Sequence, residues 1–136
     1  MVRTGPFLSV PARTVARMNL NLSGVTIDST DPRLLAEFWT QALDLEVVFD
    51  ADGWFLQLGS AARPDRPYLG LQKVPEKRDG KNRVHVDLSS DDREGEVTRL
   101  ESLGATVGET HEIPGLTWTV LQDPEGNEFC VGSAHG

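Results

Sequence analysis

Asn82-Arg83-Val84-His85-Val86-Asp87-Leu88-Ser89-Ser90, followed at once by Asp91-Asp92, is the stretch on which the fold turns. Apolar residues take every second place from Val84 to Leu88, the period of a strand with one greasy and one polar face. The two carboxylates then stand where a helix dipole favours negative charge. Val97, Leu100 and Leu103 follow at helical spacing and stop at Gly104, the residue best suited to a left-handed cap. A helix laid over Val84, Val86 and Leu88 leaves His85, Asp87 and Ser89 on the opposite face.

The same plan stands earlier in the chain. Val25-Thr26-Ile27-Asp28 alternates as a strand, and Asp31-Pro32 combines a capping side chain with a proline at the first helical position. Leu34, Leu35, Phe38, Trp39 and Ala42 form one apolar stripe, and Asp44 takes the place that Gly104 holds in the second copy. Three short alternating segments follow each helix. They are Leu45 to Phe49, Trp54 to Leu58 and Tyr68 to Val74 in the first copy, and Thr106 to Thr110, Leu116 to Gln122 and Asn127 to Val131 in the second. Breaks fall at Asp52-Gly53, around Arg63 to Pro67, at Pro114-Gly115 and at Asp123 to Gly126. Pro75 to Lys81 is a polar linker. The chain thus reads as an α+β domain of two βαβββ modules, residues 20–75 and 81–134. Superposing the helix starts pairs Asp31 with Asp92, and so Gly24 with His85.

A chain of 136 residues suits one such domain. No apolar run approaches the roughly 20 residues of a membrane helix, so no membrane partner is expected. The single cysteine, Cys130, excludes an internal disulfide and leaves the cytoplasm as the default location. The formal net charge is −8, and Arg3, Arg13 and Arg17 all precede the first acid, Asp28, so the remainder is more acidic still. Such a surface repels phosphate backbones and excludes nucleic acid as an expected partner. Residues 1–18 are basic, contain two prolines and lack the apolar core of a signal peptide. They read as a disordered tail or as sequence ahead of a working start at Met18.

In the last segment the alternation puts Phe129 and Val131 under the helices, with Glu128 and Cys130 on the face of His85. Two readings stay open. Either His85 and Glu128 form a site, or they are a satisfied strand histidine and an edge charge turned to water. Cys130 is either a small buried filler or a nucleophile with His85 as its base. Asp28 and Asp87 share the inner face unranked. Trp54, Tyr68 and Trp118 are either core residues or walls of a pocket for an aromatic or cationic guest.

Val25 to Asp28 with Asp31-Pro32 and Leu35 to Trp39, then Asn82 to Leu88, then Asp123-Pro124-Glu125-Gly126-Asn127-Glu128-Phe129-Cys130-Val131, resemble the vicinal oxygen chelate superfamily. Its members include glyoxalase I, bleomycin resistance proteins, fosfomycin-modifying enzymes and ring-cleaving dioxygenases. The resemblance implies one cupped eight-stranded mixed sheet with helices on its outer face and a small-molecule pocket within. In metal-using members the first strand of each module offers His or Gln and the last strand Glu. That implies His85 and Glu128 as catalytic residues and ligands of a divalent metal ion. The first module departs from the pattern, with Gly24 at the first ligand position and Gly70 or Gln72 at the second. Gln72 completes a candidate metal set of His85, Glu128 and Gln72, while Gln72, Tyr68, Trp54, Trp118 and Asp87 are candidate ligand-binding residues. The resemblance supports an enzyme of lyase, isomerase or dioxygenase type acting on a small oxygenated substrate. It equally accommodates a metal-free binder of an aromatic or cationic compound, or a module that chiefly dimerises. A homodimer is the expected assembly.

Overall fold

A computed structural model describes residues 19–133, so the expectation of a disordered tail over 1–18, and position 134, lie outside the described residues. The elements follow the doubled plan: β1 (Gly24–Ser29), α1 (Pro32–Leu43), β2 (Glu46–Asp50), β3 (Phe55–Gly59) and β4 (Tyr68–Lys73). The second copy comprises β5 (Val86–Ser90), α2 (Arg93–Leu103), β6 (Thr106–Ile113), β7 (Leu116–Gln122) and β8 (Glu128–Ser133). The strands form two four-stranded mixed sheets, ordered β1-β4-β3-β2 and β5-β8-β7-β6, each with one parallel pair between its first and last strands.

Both helices start as their sequences direct. The Asp31 carboxylate accepts from Leu34 N at 3.2 Å, and that of Asp92 accepts from Gly95 N at 3.0 Å, relieving N–H groups that have no partner inside the helix. Asp44 closes α1 in the left-handed conformation at φ 55°, and Gly104 closes α2 at φ 121°. Arg99 of α2 then donates to Gln41 O and Ala42 O at 3.1 and 2.8 Å, capping the C-terminus of the other module's helix.

Leu35, Ala36, Phe38, Trp39 and Ala42 are buried as the α1 stripe requires, but Leu34 is 61% exposed, because its side chain in the first turn falls outside the covered arc. Val84 is likewise 76% exposed: β5 begins only at Val86, so Val84 precedes the part of the chain that the helices cover. One hydrophobic core unites the modules, with Trp39 and Phe129 in edge-to-face contact at 5.0 Å.

The turn Asp123 to Asn127 fastens the second module to the first. Buried Asp123 accepts from Trp39 Nε1 at 3.0 Å and from Asn127 Nδ2 at 2.9 Å, while Glu125 accepts from Ser29 Oγ at 2.5 Å and Thr30 N at 2.8 Å. These bonds draw β1 toward the start of β5. Thr26 and Asp28 therefore line the same cleft as His85 and Glu128, about 430 Å³ in volume.

Candidate functional site

On the open face of the second sheet, the parallel register sets Asp87 beside Cys130 and Val86 beside Phe129, and His85, just ahead of β5, lines one cleft with Glu128. Alternation then turns His85, Asp87, Glu128 and Cys130 away from the helices. Trp118 joins them from β7, since it pairs with Gly132 on the far side of β8. A cavity of about 620 Å³ is lined by His85, Asp87, Trp118 and Cys130, with Leu88, Ser89, Leu116, Gly132 and Ser133.

Three of these side chains converge. His85 Nδ1 lies 3.3 Å from Asp87 Oδ1 and 4.0 Å from Cys130 Sγ, and one donor atom from each residue falls within 4.8 Å of the other two. Burial first, and then the Asp87 and Glu128 carboxylates, push the Cys130 thiol above its ordinary range. Cys130 is a buried thiol whose Sγ lies against the imidazole. The same contacts rank the two aspartates: Asp87 touches His85, whereas Asp28 reaches only the cleft between the modules.

The first module's face carries different chemistry. Its register pairs Gly24 with Tyr68 and Asp28 with Gln72. Since Gly24 corresponds to His85, the strand neighbour corresponding to Glu128 is Tyr68 rather than Gly70 or Gln72. A Cβ at Gly24 would come within 2.5 Å of the Tyr68 ring, and one at Gly70 within 2.6 Å of Thr26 Oγ1. Tyr68 has thus taken the space that a ligating side chain at position 24 would need. A metal site built from both modules does not fit these residues. Gln72 is exposed, donates to Trp54 O at 3.4 Å and lines neither cavity that His85 reaches.

The predicted aromatics separate in the same way. Tyr68 packs edge-on against Phe55, and Trp54 is 58% exposed beneath Lys73 Nζ at 4.9 Å. Trp118 alone of the three reaches the His85 cavity, and it stacks on His111 at 5.3 Å. His111 is the residue that sequence reasoning missed. The signal was available in the antiparallel pairing across Pro114-Gly115, which sets His111 opposite Trp118.

The profile of the glyoxalase-like domain matches residues 24–132. No curated protein sequence matches the chain. Among solved structures, a glyoxalase/bleomycin resistance protein/dioxygenase family enzyme from Burkholderia phytofirmans is 18% identical and superposes with a TM-score of 0.70, over 84% of this chain and 98% of that one. A lactoylglutathione lyase from Agrobacterium tumefaciens is 23% identical at a TM-score of 0.64, over 84% and 93%. A mutant of the fosfomycin resistance protein FosX from Listeria monocytogenes, complexed with Mn(II) and dihydroxypropylphosphonic acid, is 12% identical at a TM-score of 0.69, over 84% and 90%. At these identities the likeness speaks for the fold.

Proposed function

Because the chain belongs to the glyoxalase-like family of the vicinal oxygen chelate superfamily, we propose that it binds a small molecule with an aromatic body and a cationic group on the open face of its second module. The observation that carries this reading is the lining of the His85 cavity, which Asp87 and Trp118 share and to which no lysine or arginine contributes among the described residues. A carboxylate beside an aromatic wall favours a cation with an apolar body, and the net charge of −8 enriches such guests near the surface. A volume of about 620 Å³ lies within the range of drug-sized pockets. Glu128, two residues before Cys130 on the same face of β8, adds negative potential nearby.

Titration with a quaternary-ammonium aromatic probe, its neutral isostere and a carboxylate analogue, followed by Trp118 fluorescence and calorimetry, tests the reading. The cation is expected to bind at least about tenfold more tightly than the neutral compound, a difference of about 1.4 kcal/mol. His85→Ala and Glu128→Ala are expected to weaken binding while circular dichroism stays unchanged. Unfolding of either variant, or preference for the carboxylate analogue, refutes the assignment.

A second reading, turnover of a small oxygenated substrate, draws support from the contact between His85 and Asp87. A carboxylate beside Nδ1 fixes the tautomer and leaves Nε2 to exchange a proton with substrate. Incubation with lactoylglutathione and with fosfomycin, the compounds named by two of the structural neighbours, checks this reading by product detection. Turnover that survives His85→Ala counts against it.

A further inference from the structure

We propose that His85, Asp87 and Cys130 form a one-module site for a thiophilic divalent ion such as Zn²⁺, independent of the paired-module arrangement that Gly24 and Tyr68 preclude. Imidazole, carboxylate and thiolate are the donor types that zinc takes, and three protein ligands with an open fourth position characterise its reactive sites. With zinc bonds of about 2.0–2.3 Å, a tetrahedral ion sets its ligand atoms about 3.3–3.6 Å apart. His85 Nδ1 and Asp87 Oδ1 already stand 3.3 Å apart, and Cys130 Sγ, at 4.0 Å from the same nitrogen, must close by only a few tenths of an ångström. All three donor atoms fall within 4.8 Å of one another. The framework beneath them is firm: Cys130 is buried on β8, and Asp87 stands beside it in the β5–β8 register.

The donors extend along β5 and β8 beyond the His85–Glu128 pair, to a point where only the second module contributes. The cavity in front of them leaves the fourth position to water or to an oxygen of a bound molecule. This site goes beyond the small-molecule reading, and because it draws on the same His85 and Asp87, a bound ion and a cationic guest exclude one another. Metal titration and probe binding to metal-stripped protein therefore fail separately.

The test titrates tag-free, metal-stripped full-length chain with Co²⁺ and then displaces it with Zn²⁺. Because the chain has a single cysteine, any thiolate-to-cobalt charge-transfer absorption reports on Cys130. The expected result is one Co²⁺ per chain with that absorption, lost when Zn²⁺ is added. Cys130→Ser is expected to abolish the absorption, and Asp87→Asn to weaken affinity by about 10–100-fold or more, the loss that even an outer partner of a metal ligand produces. Both variants are checked by circular dichroism, and His85→Gln, which keeps a neutral donor, serves if either unfolds. Absence of the absorption in the parent chain, its survival in Cys130→Ser, or one ion shared between two chains overturns the proposal.

Discussion

Trp39→Phe tests whether the Asp123 to Asn127 turn holds the two modules together. Trp39 has 0% and Asp123 2% of its surface exposed, and the indole Nε1 donates to Asp123 Oδ2 at 3.0 Å. The substitution keeps an aromatic ring against Phe129 but removes one donor from a buried carboxylate. A hydrogen bond to a charged group contributes about 1.5–3 kcal/mol. The smaller ring vacates about 40 Å³, which adds about 1 kcal/mol at roughly 24 cal/mol per Å³. The total, about 2.5–4 kcal/mol, corresponds to a fall in Tm of roughly 8–20 °C for a domain of this size. Urea denaturation of the single variants and of Trp39→Phe with Asp123→Asn measures both the loss and the coupling. Because the two residues share one hydrogen bond, the double variant should lose less than the sum of the singles by at least about 1 kcal/mol. A loss under about 1 kcal/mol for Trp39→Phe, or strict additivity, refutes the claim that this bond ties the modules.

The Cys130 thiol is raised by burial and then by Asp87, so its contribution to stability is complete below the ordinary value of 9.0 and is lost as pH rises through the folded value. Thermal melts of the parent chain should therefore fall more steeply above that pH than those of Cys130→Ser; parallel curves refute the linkage. Iodoacetamide should label Cys130 more slowly in the native chain than in urea at the same pH, as mass spectrometry will show. At the first module, Gly24→Ala drives a methyl group into the Tyr68 ring and should lose about 1–3 kcal/mol. Tyr68→Ala should cancel that penalty in the double variant, and a neutral Gly24→Ala shows that the ring does not fill the space.

The doubled plan was legible because it rests on short-range rules that the folded chain obeys at both helix starts. Asp31 and Asp92 cap as their positions demand, and every expected strand forms within a few residues of its alternating segment. What the alternation could not supply was register between strands. It placed His85, Asp87, Glu128 and Cys130 on one face, yet only the pairing of Asp87 with Cys130 shows which of them touch. The same limit applies in the first module, where counting along the strand suggests Gly70 or Gln72 and pairing selects Tyr68. Leu34 and Val84 mark a second limit. Periodicity assigns a side chain to a direction, but burial also requires a neighbour in that direction, and both residues lie where the packed layer ends.

The Asp123 to Asn127 motif carries the wider lesson for function. It supplied much of the family resemblance, and in the folded chain its side chains bond Trp39, Ser29 and Thr30 rather than the cavity in front of Trp118. In this chain the motif joins the two modules, apart from the chemistry on the open face. The residues at which the two modules differ in chemistry are instead Gly24, Tyr68, Asp87 and Cys130. The first two close the site on one module while the last two gather donors around His85 on the other. Reactivity in this fold is therefore best sought where the two copies have ceased to match.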